Sequence, residues 1–295
     1  MPNVVGRSRT APFGLLRGTR PGVCLNPYHC QANRRWPAPE PALPAPPAVI
    51  AVIPARLAST RLPNKPLLDA TGQPLIQHVV ERVGEAGRVP RIVVATDEQR
   101  IVEAVQAFGG EAMLTRPDHA NGTSRIAEAV ERLDDLPDDA IVVNVQGDEP
   151  EIEPAAIDAL VEAMARQPQV PMATLGSAFA AGEDPADPSI VKVVTDRRGR
   201  ALYFSRAAIP YDRDAVGVRR LKHPGLYAYR RAFLLRYASW PATPLERAEQ
   251  LEQLRALEHG QAILVVRVDV ASHGIDTPEQ YAAFVQRVRA RRSGA

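Results

Sequence analysis

From Val49 onward the chain alternates short apolar runs with longer amphipathic stretches, and that rhythm narrows the fold more than any other feature. The apolar runs Val49–Ile53, Arg91–Ala95, Ala140–Val145, Pro171–Leu175 and Ile263–Val268 have the length of buried strands. Between them, Pro74–Ala86, Gln99–Phe108, Thr123–Leu133 and Pro154–Ala165 carry apolar residues at helical spacing. In the third of these helices Ile126, Val130 and Leu133 share one face, and Glu128, Glu131 and Arg132 are expected to point away from it. A helix between two strands carries the chain back along the sheet, so that consecutive strands run parallel. The expectation is therefore an α/β fold, a mostly parallel central sheet with helices on both faces. In such sheets ligands bind beyond the carboxyl ends of the strands.

The rhythm changes between about Val191 and Arg231. Lys192–Thr195, Ala201–Ser205 and Leu226–Arg230 read as short strands, joined by turns at Arg198-Gly199 and Asp212–Gly217. We read this stretch as an antiparallel excursion from the main sheet and as a candidate dimer surface. Further on, Thr243-Pro244-Leu245-Glu246 and Thr277-Pro278-Glu279-Gln280 have the form of capping boxes with proline in the first helical turn.

Residues 1–48 are of another kind. They hold ten of the chain's 28 prolines, and six arginines against a single acid, Glu40. Such a segment builds no ladder of backbone hydrogen bonds and is expected to be disordered, leaving 49–295 as a single domain. Its basic, acid-poor composition is similar to that of a transit peptide, with little serine; we expect the true start to lie near Val49. The formal net charge of +2 thus conceals a net acidic remainder, which argues against a nucleic-acid partner. Both cysteines, Cys24 and Cys30, also lie in the tail. The domain therefore has no disulfide framework and no catalytic thiol, as suits a reducing cytoplasm. No apolar run approaches the ~18 residues of a membrane helix, so no membrane insertion is expected.

Unusual residues gather at the predicted strand ends. The first strand runs into Pro54-Ala55-Arg56-Leu57-Ala58-Ser59-Thr60-Arg61-Leu62-Pro63-Asn64-Lys65-Pro66-Leu67. Arg56, Arg61 and Lys65 on a proline-stiffened turn suit a triphosphate, although a solvated basic loop has the same composition; no Walker loop occurs. Val94-Ala95-Thr96-Asp97 ends the second strand, where Asp97 reads either as a ligand group or as a cap for the next helix. His119-Ala120-Asn121-Gly122-Thr123-Ser124-Arg125 precedes a helix: Gly122 permits close backbone approach and Thr123 can cap, with or without a ligand at the helix start. Val143-Asn144-Val145-Gln146-Gly147-Asp148-Glu149-Pro150 delivers acids to a strand end, where one caps a turn or holds a hard cation such as Mg²⁺. In Gly274-Ile275-Asp276-Thr277-Pro278 the acid precedes a capped helix, which is also a favourable place for an anion without further function. Tyr203-Phe204-Ser205-Arg206, His223-Pro224-Gly225-Leu226-Tyr227 and Leu251-Glu252-Gln253-Leu254 offer groups for an acidic, hydroxylated ligand. Each is equally compatible with an ordinary surface or turn position.

In their order these segments resemble the signatures of the CMP-KDO synthetases, the 3-deoxy-manno-octulosonate cytidylyltransferases, from Val49 to about Phe284. The resemblance implies a fold like that of the nucleotide-diphospho-sugar transferases. It implies transfer of CMP from CTP to the anomeric hydroxyl of KDO (3-deoxy-manno-octulosonate), for lipopolysaccharide biosynthesis, by a homodimer. It places Arg56 and Lys65 on the CTP phosphates, Ala55 beside the cytidine, and Thr96, Asp97, Gly122, Thr123, Arg125 and Gln146 near the nucleotide. Asp148 and Asp276, 128 positions apart, would ligate Mg²⁺; with Arg56 and Lys65 they form the implied catalytic set. Arg206, His223, Tyr227, Glu252 and Gln253 fall in the sugar-binding segments, and the Glu-Gln pair favours KDO over sialic acid. Three positions depart from the usual family residues: Asn121 stands for Ser, Ser124 for an acid and Pro224 for Leu. The rival readings are a cytidylyltransferase for another acidic sugar, such as an amino-KDO or a nonulosonate, and a silent nucleotide-binding module.

Overall fold

The computed structural model describes residues 47–58, 61–269 and 274–293. The expectations for residues 1–46, and for Cys24 and Cys30 within them, fall outside the described residues.

In chain order the strands are β1 (Val49–Ala55), β2 (Ile92–Thr96), β3 (Glu111–Leu114), β4 (Ile141–Asn144), β5 (Met172–Ala178), β6 (Lys192–Thr195), β7 (Ala201–Ser205), β8 (Leu221–Lys222), β9 (Tyr227–Arg230) and β10 (Ile263–Arg267). The helices are α1 (Leu75–Gly84), α2 (Gln99–Ala107), α3 (Gly122–Glu131), α4 (Pro154–Arg166), α5 (Arg231–Ala238), α6 (Pro244–Glu249), α7 (Gln253–Glu258) and α8 (Pro278–Ser293). A short 3₁₀ turn covers Lys65–Leu67. None of the described helices is long and apolar enough to cross a membrane.

The sheet runs β3-β2-β1-β4-β9-β5-β8-β6-β7, with β10 also paired to β5. Strands β3, β2, β1 and β4 are mutually parallel, and so are β5 and β10. Period-two alternation along each central strand feeds two cores. Ala51, Ile53, Val94 and Val143 face one side with residues of α1, α2 and α4. Ile50, Val52, Val93 and Val142 face the other with residues of α3, α5 and α7. Helices thus cover both faces, as the alternation predicts.

The region expected to leave the main sheet divides. Strands β6, β7 and β8 form an antiparallel patch. Strand β9, placed in the same excursion by the sequence, instead lies inside the main sheet, antiparallel to both β4 and β5. Its sequence Tyr-Ala-Tyr-Arg is almost wholly buried, so the pairing that satisfies its backbone comes from two strands distant in sequence. The boundary at Arg231 is invisible in sequence, because α5 begins there with no intervening turn after β9 ends at Arg230.

A third, small core joins segments that the two large ones leave apart. Leu62, Leu75, Ile275, Phe284, Val285 and Val288 pack together, with Leu68 and Tyr281 against them. Leu62 stands three residues before Lys65 and Ile275 immediately before Asp276, so this cluster fixes both flanks of one end of the sheet.

Candidate active site

At the carboxyl ends of β1 and β4 lies a cavity of about 480 Å³. Of the residues expected at a site, Ala55, Arg56, Lys65, Gly122, Arg125, Gln146, Asp148 and Asp276 line it. Arg61, read with the cationic triphosphate loop, and His119, which stood in its motif without an assigned role, line it too.

Lys65 joins the two distant acids. Its Nζ donates to Asp148 Oδ2 at 2.7 Å and to Asp276 Oδ1 at 3.1 Å. A guanidinium nitrogen of Arg61 lies 3.4 Å from Asp276 Oδ2. Asn64, in a left-handed conformation with φ 56°, turns the chain into the Lys65–Leu67 turn. Pro66 is buried and holds the base of the lysine while its four-carbon stem reaches the acids. Helix α8 ties the segments further: Arg287 and Arg291 both pair with Glu151, three residues past Asp148, and Tyr281 Oη accepts from the Ala70 amide at 2.9 Å.

Glycine is required at position 147, where the ends of β1 and β4 converge. A Cβ on Gly147 would stand 2.8 Å from the Pro54 carbonyl oxygen, and one on Gly122 3.2 Å from Pro54 Cγ. Gly147 therefore approaches β1 more closely than a side chain allows, and Gly122 leaves only tight clearance to Pro54.

Helix α3 starts at the cavity wall. Asn121, not Thr123, is its cap: the Asn121 side chain accepts from the Ser124 amide at 2.9 Å. The Thr123 hydroxyl instead donates to Glu252 Oε2 at 2.7 Å. Glu128, expected to face solvent, is buried. It accepts from the Arg116 amide and pairs with His119 and Arg132. The periodicity assigned its face correctly, but the loop before α3 folds over that face and supplies partners. Burial works against the Glu128 charge, yet the His119 hydrogen bond, the Arg116 amide and Arg132 hold the carboxyl below its usual range.

Thr96 and Asp97 sit behind the lining. Thr96 is fully buried and its hydroxyl accepts from the Glu98 amide at 3.2 Å. Asp97 is not a helix cap; it pairs with Arg125 at 3.2 Å, and its other oxygen is buried with no hydrogen-bond partner. Arg125 also donates to Thr115 Oγ1 at 2.6 Å, which fixes its guanidinium at the cavity floor.

The residues of the expected sugar side form a second group, joined to the first through Thr123 and Glu252. Burial raises the Glu252 carboxyl above its ordinary range, opposed by the Thr123 hydrogen bond. The Tyr237 hydroxyl donates to the Glu252 carbonyl at 2.6 Å. Tyr227 stacks on Tyr229 with ring centroids 6.0 Å apart, and His223 lies 5.2 Å from Tyr227. Gln253 is buried, and its amide nitrogen has no hydrogen-bond partner. Arg206 stands apart from the rings: its guanidinium donates to the carbonyls of Glu249 at 2.8 Å and Pro188 at 3.0 Å.

The donor chemistry fits a divalent cation. Two carboxylates converge on one point, in a cavity that Arg56 and Arg125 also line. A hard cation such as Mg²⁺ takes one or two carboxylates and completes its shell from phosphate and water. Among the described residues no group of three or more His, Cys, Asp and Glu converges, and those residues offer the two carboxylates.

Parallel strands ending in a glycine-rich, cationic cavity with paired acids define a nucleotide-binding α/β transferase site. The family profile described as cytidylyltransferase matches residues 50–263. The 3-deoxy-manno-octulosonate cytidylyltransferase of Syntrophotalea carbinolica is 50% identical over 243 residues, 79% of this chain and 95% of that protein. The protein of the same name from Syntrophobacter fumaroxidans is 52% identical over 239 residues, 80% of this chain and 95% of that one. The chain belongs to the 3-deoxy-manno-octulosonate cytidylyltransferase family. Among solved structures, a CMP:2-keto-3-deoxy-manno-octonic acid synthetase complexed with CTP matches with a TM-score of 0.76 and 47% identity, covering 84% of this chain and 99% of that one. A 4-diphosphocytidyl-2C-methyl-D-erythritol synthase, 12% identical with a TM-score of 0.56, shares the fold.

Proposed function

We propose that this protein transfers CMP from CTP to the anomeric hydroxyl of KDO, releasing pyrophosphate. One observation carries the reading: Asp148 and Asp276 meet at Lys65 in the cavity that Arg56 and Arg125 line. The hydroxyl oxygen forms a bond to the α-phosphorus, the bond to the β-phosphate bridge breaks, and the hydroxyl proton leaves to solvent. Arg56 and Lys65 neutralise charge on the departing pyrophosphate, and positioning with charge stabilisation supplies most of the acceleration.

Asp148 and Asp276 would hold Mg²⁺, which when bound polarises the α-phosphate and favours ionisation of the attacking hydroxyl. Gly122 and Gly147 bring backbone against the nucleotide; Ala55 and Gln146 border it, and Thr96, Asp97 and Arg125 support that wall. Thr123, through Glu252, links the nucleotide side to His223, Tyr227 and Gln253 on the sugar side, and Arg206 would supply a cation for the sugar's carboxylate. A homodimer built on the β6–β8 patch fits the exposed Leu202, Tyr211 and Val216. Supply of an activated acidic sugar for lipopolysaccharide in the cytoplasm follows from the same reaction.

The test is purified protein with CTP, KDO and Mg²⁺, monitored for CMP-KDO and pyrophosphate. KDO, 8-amino-KDO and sialic acid compete in the same assay. Turnover with KDO first among them is expected. Tight CTP binding without turnover on any of the three would reject the proposal.

A further inference from the structure

Lys65 occupies an unusual position for a phosphate ligand. Its ammonium makes two short contacts, both to carboxylates, at 2.7 and 3.1 Å. Only 12% of its side chain is exposed, against 30% for Asp148 and 48% for Asp276. The best-shielded member of the cluster is thus the cation between the two acids. Arg61 is the only other cation paired with either acid among the described residues; it touches Asp276 alone, at 3.4 Å, and its side chain is 68% exposed. Without Lys65 the two carboxylates would face each other with little compensation.

We infer that Lys65 is the resident counterion of the Asp148–Asp276 pair, so that a divalent cation gains the pair only when nucleotide phosphates arrive to receive the displaced ammonium. The inference rests on the reading of these two acids as the metal carboxylates.

The chain is built for such an exchange. The backbone of Lys65 is fixed: Asn64 turns the chain, buried Pro66 follows, and the Lys65 carbonyl accepts from the Leu68 amide at 3.2 Å. The side chain is a compact charge on a flexible stem, and moving it costs no backbone rearrangement. Arg56 and Arg125 line the same cavity, so a polyphosphate drawn there by those guanidiniums comes within reach of the lysine as well. Two consequences follow. The free protein discriminates against bare divalent cations, because each must compete with an attached ammonium. Metal and nucleotide bind with positive coupling, because the nucleotide gives the ammonium somewhere else to go.

The test is binding of Mn²⁺ to the nucleotide-free protein, read as free Mn²⁺ by electron paramagnetic resonance. Lys65→Met should bind Mn²⁺ about tenfold more tightly than wild type, since one partly shielded opposing charge has been removed. Lys65→Arg, which keeps the charge, should bind as weakly as wild type. In the presence of a non-hydrolysable CTP analogue wild type should gain Mn²⁺ affinity by a larger factor than Lys65→Met does. Circular dichroism checks the fold, and Lys65→Gln replaces the methionine variant should that one misfold. Unchanged or weaker Mn²⁺ binding by the neutral variants overturns the inference, as does tight binding by Lys65→Arg. Turnover of CTP and KDO by the same wild-type preparation separates the two levels. Tight Mn²⁺ binding by Lys65→Met without wild-type turnover rejects the reaction and keeps the counterion role. Normal turnover with unaltered Mn²⁺ binding rejects the counterion role alone.

Discussion

The backbone amide of Ile275 donates to the carbonyl of Asp148 at 2.9 Å, so the loop bearing one site carboxylate is stitched to the segment bearing the other. Main chain therefore sets the spacing of the Asp148 and Asp276 side chains, and replacing either carboxylate leaves the frame in place. Asp148→Asn and Asp276→Asn should each lower kcat/KM about 100-fold or more, the scale of losing one charge-stabilising group. The two act on one cation, so the double variant should lose much less than the product of the single losses. Steady-state pyrophosphate release measures this, and multiplicative losses would show that the acids act independently.

A second consequence concerns the small core behind the acids. Phe284 is 1% exposed and packs with Leu62 and Ile275, and edge-on to His78 with ring centroids 5.1 Å apart. Phe284→Ala should cost about 3–5 kcal/mol of stability, as truncation of a buried phenyl ring does. The loosened segments carry Lys65 and Asp276, so CTP affinity should fall in the same variant at temperatures where it remains folded. A comparable truncation elsewhere, Leu160→Ala in the core beneath α4, should destabilise without weakening CTP. Urea melts and calorimetric titration of both variants decide the matter; equal loss of CTP affinity in both would remove any special role for the small core.

What the sequence reveals and what it conceals divide along physical lines. The central strands are legible because both faces of the sheet are covered, so each is an uninterrupted apolar run. Arg56, Gln146 and Asp148 are legible because they follow closely on such runs, where the fold opens to ligands, and Lys65 because it shares the proline-stiffened loop that leaves β1. Edge strand β3 has no comparable signal: its four residues Glu-Ala-Met-Leu are exposed or half-buried. The insertion of β9 between β4 and β5 depends on pairing with strands over 50 residues away, which no local pattern records. Glu128 is misread for a similar reason. Helical periodicity assigns it a face but does not show that Arg116 and His119 fold over that face. Thr123 has the residue type of a cap, and only the arrival of Glu252 from 129 positions away shows its hydroxyl otherwise engaged.

Glu252 should trade stability for function. Burial lifts its carboxyl above the ordinary range, so the folded protein holds the proton more tightly than the unfolded chain. Stability from this group is present in acid and declines as pH rises through the folded value. Glu252→Gln removes the charge that burial opposes, and the Thr123 hydroxyl retains an oxygen to donate to. The variant should melt higher than wild type at pH 7, the difference shrinking towards pH 4, while its KM for the acidic sugar rises more than its KM for CTP. Thermal melts across that range, with paired KM values, provide the check. A lower melting temperature at pH 7 would contradict the argument.

His223 gives a pH dependence of the opposite sign. Burial, between the Phe204 and Tyr227 rings, pushes its imidazole down to about 3. The Thr174 hydroxyl donates to the Leu226 carbonyl at 2.6 Å and so has only its oxygen to offer His223 Nε2, 2.8 Å away; Nε2 therefore carries the proton. In the unfolded chain the same ring takes up a second proton near pH 6.5. The stability it confers is complete above that value and is lost as pH falls towards the folded one. Below pH 6.5 the loss amounts to about 1.4 kcal/mol per pH unit for one proton. His223→Gln has nothing to titrate there, so its unfolding free energy should fall less steeply than that of wild type from pH 6.5 to 5. In that interval ordinary carboxylates remain ionised and contribute little slope of their own. Denaturant unfolding at half-unit pH steps measures both slopes, and parallel curves would mean that the imidazole takes up its proton in the folded protein as readily as in water.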